Sequence, residues 1–210
     1  ARVLPGQRTI RMHYANCNTF NADFDGDEIN LHFPQDHQAR AEAYEIVKAE
    51  EQFFAPTDGK PLRGLIQDHI CAAVLLTCKD RFYDKEGFAQ IIYASLVDLC
   101  DRENLMLRIP PPTIRKPKRL WTGKDVMTTI LNHVSQGLPG VTLKHSCKTP
   151  HSFWGGKDEG DLIVRQNYVC AGVVDKNAFG KFGLIHAIAE LHGKKVAGSL
   201  LSVLSRLLTL

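Results

Sequence analysis

Apolar residues recur along most of this chain at helical spacing, with short alternating stretches between. Phe88, Ile92, Leu96 and Leu99 share one helical face, and Val126, Ile130 and Leu131 mark a helix over 123–134. Val196, Leu200, Val203, Leu204, Leu207 and Leu208 predict a last helix over 196–208, with its stripe packed into a core; another precedes it over 182–191. Leu62, Leu65, Ile66, Ile70, Ala73 and Val74 also recur at helical spacing. Asp36 can cap a helix from His37 to about Glu50, in a run of good helix formers. Alternation predicts strands at 9–15 and 29–33, a hairpin of 162–164 and 168–173 through Arg165-Gln166-Asn167, and a strand-like piece at 141–143.

Breakers divide these elements. Ala55-Pro56-Thr57-Asp58-Gly59-Lys60-Pro61 is a turn cluster, and the domain boundary is expected there or just before it. Residues 108–119 are proline-rich and basic, and 137–160 rich in Gly, Pro and Lys, so neither is a regular helix. The expected class is α+β, with residues 1–52 and 53–210 as two regions and helices dominating the second.

Composition narrows the picture only slightly. The chain has 210 residues, enough for one large domain or two modest ones, and its 44% hydrophobic content can fill a core. A net charge of +3 is too small to announce a nucleic-acid partner. None of the six cysteines forms a C-x-x-C pair, which speaks against structural zinc and for reduced, mostly buried thiols. No signal peptide is evident, and the run 196–210 holds Ser199, Ser202, Ser205 and Arg206, too polar to cross a membrane. Ala1 at the start, Met12 as the first methionine and an apolar pattern up to Leu210 read as an internal fragment of a longer polypeptide.

The chemistry concentrates in Asn21-Ala22-Asp23-Phe24-Asp25-Gly26-Asp27-Glu28. On an extended chain Asp23, Asp25 and Asp27 project to one face. Gly26 allows the backbone to curl and close the carboxylates toward one point. Clustered carboxylates repel, and a bound cation removes that cost. Oxygen ligands without Cys or His suit magnesium, manganese or calcium. The bland alternative is a solvated acidic turn. An EF-hand loop counted from Asp23 would put its glycine at Glu28 and its last glutamate at Pro34, so that pattern fails. A haloacid-dehalogenase-type phosphohydrolase resembles a hydrophobic strand running into D-x-D-G-T; here Asp27 takes the Thr position and Cys17 to Asn21 are too polar for that strand.

Other candidates are weaker. His145, Cys147 and His151 lie close in sequence but match no standard zinc spacing. His186 and His192 are expected to pack or cap, Gln67 and Asp68 to begin a helix turn, and Arg115 to Arg119 to be solvated loop charge.

Asn21 to Asp27 is similar to the active-site motif N-A-D-F-D-G-D of the largest subunit of multisubunit DNA-directed RNA polymerases. Glu28 to Gln35 continues as eukaryotic and archaeal forms do. Arg11-Met12-His13-Tyr14-Ala15-Asn16-Cys17, Gly64-Leu65-Ile66-Gln67-Asp68-His69, Leu120-Trp121-Thr122-Gly123-Lys124 and Val174 to Gly180 agree in order, so the resemblance covers nearly the whole chain. The flanking residues look most like the polymerase I version. Where the family pattern reads K-P-x-P-L-W, this chain has Lys116-Pro117-Lys118-Arg119-Leu120-Trp121.

The resemblance implies that 1–52 is the later part of a double-psi β-barrel carrying the metal loop and that 53–210 is a mainly helical pore region. It implies nucleotidyl transfer with Mg2+ held by Asp23, Asp25 and Asp27, and Asn21 beside the nucleotide ribose. It further implies other polymerase subunits (above all the second-largest), DNA template, RNA transcript and nucleoside triphosphates as partners, and a nuclear, nucleolar location. Two rivals stand beside it: a magnesium-dependent phosphohydrolase with Asp23 as nucleophile, and a non-catalytic scaffold whose aspartates hold a structural cation.

Overall fold

Among the described residues ahead of Phe53 the chain forms two short helices, α1 (Tyr14–Phe20) and α2 (His37–Glu45). The computed structural model describes residues 2–103, 106–153 and 156–209, so Ala1, Leu210 and two residues of the 137–160 loop lie outside the described residues. A side-chain cap starts each helix. The His13 Nδ1 accepts the Ala15 N–H (3.0 Å) at α1, and Asp36 Oδ1 accepts the Ala39 N–H (2.6 Å) at α2. The α2 helix stops at Glu45, short of the expected Glu50; it has no buried residue, so no core face holds a further turn.

The strands expected at 9–15 and 29–33 do not form, and no closed barrel exists among the described residues. Strand backbone needs a neighbouring strand for its N–H and C=O groups, and none lies beside these segments. Their alternating apolar residues stay exposed: Ile10 at 62%, Leu31 at 78% and Phe33 at 83%. Among the described residues before Phe53, only Ala15 and Cys17 are buried.

The core is built from residue 53 onward. In chain order come α3 (Asp68–Thr77), β1 (Phe82–Tyr83), α4 (Lys85–Glu103), β2 (Trp121–Thr122), α5 (Gly123–Val134), β3 (Leu143–Ser146), β4 (Asp161–Arg165), β5 (Tyr168–Ala171), α6 (Leu184–His192) and α7 (Lys194–Leu207). α3 starts at Asp68 with Gln67 at its N-terminal boundary, where Gln67 and Asp68 are expected to begin a helix turn, and the apolar spacing of Leu62, Leu65 and Ile66 lies ahead of it. Gln67 adopts φ 52°, outside the right-handed helical range, and 62–66 form no helix, with Leu65 buried in the core.

α5 lies at the centre, in contact with α3, α4, α7, β2 and β5. A reciprocal capping box fixes its start: Thr122 Oγ1 accepts the Asp125 N–H (3.1 Å), and Asp125 Oδ2 accepts the Thr122 N–H (2.8 Å). Val126, Met127, Ile130 and Leu131 bury there against Phe88, Ile92 and Leu96 of α4 and Leu200 and Leu204 of α7, so the α7 stripe is core packing. Gly123 is required by close approach, since a Cβ there would stand 1.7 Å from the Leu76 carbonyl oxygen. β3, β4 and β5 form one antiparallel sheet, with Lys144 opposite Ile163 and Arg165 opposite Tyr168. Gln166 (φ 49°) and Asn167 (φ 68°) make the left-handed two-residue turn of the expected hairpin. The strand expected at 141–143 begins at Leu143 instead.

Candidate metal centre

α1 aims the aspartates. Asn21 takes the left-handed conformation (φ 48°, ψ 41°), its N–H reaching Asn18 O (3.3 Å) and the Ala22 N–H reaching Cys17 O (3.0 Å). This double hydrogen bond is a Schellman cap with Asn in the position usually given to Gly. The chain therefore leaves the helix sharply at Ala22, and Asp23 begins an open loop.

Within the loop the Asp23 N–H donates to Asp27 Oδ2 (3.1 Å) and the Asp25 N–H to Asp23 Oδ1 (3.3 Å). Gly26 sits at φ 119°, outside the range of ordinary L side chains. The loop is thus curled rather than extended, and the curl makes the carboxylates converge. One oxygen from each of Asp23, Asp25 and Asp27 lies within 4.8 Å of the others, and all three residues are exposed. Oxygens opposite each other across a magnesium ion stand about 4.2 Å apart, so small side-chain rotations suffice to bring all three onto one ion. The loop borders an open hollow of about 560 Å³ that Arg8, Thr9, Ile10 and Met12 also line.

The charges act on one another. A hydrogen bond with Asp23, and then its negative charge, hold the Asp25 carboxyl above its ordinary range, with Asp27 adding to the effect. Burial, followed by the charge of Asp23, pushes the Cys17 thiol up. A hard cation among these carboxylates relieves the repulsion, so the donor set fits magnesium.

Among the described residues this is the one group of His, Cys, Asp and Glu side chains placed to hold a metal ion. His145, Cys147 and His151 do not converge; the Cys147 thiol donates to Val173 O (3.5 Å). His186 accepts the Phe182 N–H at Nδ1 (2.8 Å), and His192 meets Pro139 O through Nε2 (2.9 Å), so both serve packing and capping. Arg115, Lys116, Lys118 and Arg119 are exposed. Cys71 and Cys170 are exposed as well, contrary to the expectation of mostly buried thiols.

The geometry also weighs on the rivals. A helix and its cap, not a buried strand, lead into Asp23, which removes the framework of a haloacid-dehalogenase-type nucleophile. The three aspartates are exposed, and the buried core is built from residue 53 onward apart from Ala15 and Cys17.

Residue-by-residue reading misses three side chains beneath the loop. The Phe24 ring meets Tyr14 edge-on at 5.6 Å, and Tyr14 meets His69 edge-on at 5.7 Å. The ring of His13 lies 6.0 Å from that of His69, and its Nε2 is 2.7 Å from Ser205 Oγ on α7. The available signal was that H-Y-A-N-C and L-I-Q-D-H, two of the family-like stretches, carry these residues.

Comparison with known proteins places both parts of the chain. Residues 52–210 match RNA polymerase Rpb1, domain 3, and residues 1–49 match RNA polymerase Rpb1, domain 2. DNA-directed RNA polymerase I subunit rpa1 of Schizosaccharomyces pombe is 47% identical over 100% of this chain and 13% of that protein. DNA-directed RNA polymerase I subunit RPA190 of Saccharomyces cerevisiae is 44% identical over 99% of this chain and 13% of its own length. DNA-directed RNA polymerase III subunit RPC1 of Homo sapiens is 37% identical over 99% of this chain, again a small part (15%) of that protein.

Proposed function

The chain belongs to the RNA polymerase Rpb1 family, and from that premise we propose that it is the part of a polymerase I largest subunit that holds the catalytic metal and extends RNA. The observation that carries this reading is the convergence of Asp23, Asp25 and Asp27 within 4.8 Å on an exposed loop. The reaction is template-directed nucleotidyl transfer. An RNA 3′-hydroxyl attacks the α-phosphate of a nucleoside triphosphate, a P–O bond forms, and pyrophosphate leaves.

Magnesium bound by the three aspartates would lower the pKa of the attacking hydroxyl, while a second ion carried in on the triphosphate would offset charge on the leaving group. The chain's own residues orient the reactants. Asn21, fixed by its cap geometry at the start of the loop, presents a short amide that can hydrogen-bond a ribose hydroxyl. The open face of the loop leaves room for the RNA end and the phosphates.

In this reading residues 1–52 are the later part of a double-psi β-barrel, and the exposed Ile10, Leu31 and Phe33 meet barrel strands from elsewhere in the subunit. Residues 53–210 form the pore region beside the path of incoming nucleotides. The partners are the other polymerase subunits, above all the second-largest, with DNA template and RNA transcript. The product is ribosomal RNA and the location the nucleolus.

The test is Asp25→Ala in the intact polymerase. Chain extension is expected to be abolished while the subunits still assemble, because Asp25 is exposed and supports no core. Normal elongation by the assembled variant would overturn the metal assignment.

A further inference from the structure

Buried polar groups in folded proteins nearly always have a hydrogen-bond partner. His69, in the first turn of α3, is 5% exposed, and neither ring nitrogen has one. Its surroundings are aromatic instead. Tyr14 stands edge-on to it at an interplanar angle of 80°, and Phe24 stands edge-on to Tyr14 at 66°. Phe24 lies between Asp23 and Asp25 in sequence and is itself 60% exposed. A stack of three rings thus runs from the buried start of α3, through α1, to the middle of the aspartate loop. His13, tied to α7 by Ser205, flanks the stack at His69.

The loop has a reason to need this anchor. The two hydrogen bonds described within it use carboxylate oxygens of Asp23 and Asp27 as acceptors. Those carboxylates are also the groups that would ligate a cation, so they would have to serve both tasks at once. The Phe24 contact is independent of the carboxylates. Because His69 uses neither nitrogen, its ring shape rather than its hydrogen bonding does the holding.

We infer that His69 and Tyr14 are positioning residues for the metal centre: the Phe24–Tyr14–His69 stack fixes the aspartate loop so that its three carboxylates converge. The inference rests on the metal-binding reading above and is tested so that the two fail separately. The complete polymerase is loaded with Fe2+ in place of Mg2+, and hydroxyl-radical cleavage of the subunit near residues 21–28 is followed against iron concentration. The Mg2+ dependence of chain extension is measured in parallel.

One edge-on aromatic contact shifts an equilibrium by roughly two- to ten-fold, so His69→Ala is expected to raise the iron and magnesium needed for half-maximal signal about five-fold. His69→Phe keeps the ring and discards only the unpartnered nitrogens; it is expected to stay within about two-fold of the unmodified enzyme. Should His69→Ala fail to assemble because of the hole it leaves, Phe24→Ala removes the exposed end of the stack without opening the core. It should show the same rise. Unchanged metal dependence in Phe24→Ala or in assembled His69→Ala overturns the inference, as does a His69→Phe enzyme as impaired as His69→Ala. Absence of iron-directed cleavage in the unmodified polymerase defeats the metal reading itself.

Discussion

Replacing Lys124 by Met should damage this fold more than any single surface ion pair could. Lys124 lies in the first turn of α5, and its Nζ is 2.5 Å from Glu159 Oε2, the two side chains being 12% and 7% exposed. The same oxygen accepts the Gly172 N–H at 2.8 Å, just past the end of β5. One carboxylate therefore joins the central helix, the turn at 157–159 and the sheet. Lys124→Met leaves that carboxylate buried without its counter-charge, which costs about 3–5 kcal/mol in comparable pairs. At about 2–4 °C per kcal/mol for a chain of this size, Tm should fall by roughly 6–20 °C. Glu159→Gln can still accept from Gly172 and should cost less, about 1–3 kcal/mol. In the double variant the loss should be smaller than the sum, because neither charge is left alone. Urea unfolding followed by tryptophan fluorescence, with all three variants in one thermodynamic cycle, measures the energies, and thermal unfolding the Tm shift. A Lys124→Met cost below about 1 kcal/mol, the range of exposed pairs, would refute the reasoning.

Two further outcomes come from the same kind of contact. Burial, then the charges of His69 and Arg63, lower the His13 pKa below its ordinary 6.5. The folded state therefore favours neutral His13, whose Nδ1 can accept the Ala15 N–H. That contribution is complete above pH 6.5 and is lost as pH falls below 6.5 through the folded value. Amide exchange at Ala15 should accelerate on acidification through that window, and protection that stays constant would contradict the cap. Gly123→Ala should destabilise the fold by several kcal/mol, on the order of a severe overpacking, because its Cβ would fall inside the Leu76 backbone. Unfolding within about 0.5 kcal/mol of the unmodified chain would show that α3 and α5 do not approach so closely.

Much of the helical region was legible because its signals are local. The apolar triad Val126, Ile130 and Leu131 marks α5, found at Gly123–Val134, and Arg165-Gln166-Asn167 marks the hairpin turn. The misread segments depend on contacts that local sequence does not record. Alternation at 9–15 and 29–33 reports a surface suited to strand pairing, yet without neighbouring strands the backbone stays irregular, and Tyr14 to Phe20 closes into a short helix fixed by His13 and Asn21. Leu62, Leu65 and Ile66 have helical spacing but lie ahead of α3, with Leu65 alone of the three buried, since Gln67 at φ 52° interrupts a helix there. The pairs of β1 with β2 are two residues long and leave no periodicity to read. The aspartates were legible from spacing alone. The stack beneath them was not, because His69 lies 45 residues beyond Phe24 and only the fold joins them.

Locating the cation settles the function most directly. Crystals of the intact polymerase soaked in Mn2+ and measured at the manganese absorption edge should show an anomalous peak about 2.1–2.2 Å from an oxygen of each of Asp23, Asp25 and Asp27, within the range for hard cations on carboxylates. A peak bound by all three aspartates is the predicted result. A manganese site elsewhere, or one that leaves any of the three carboxylates unligated, would contradict it.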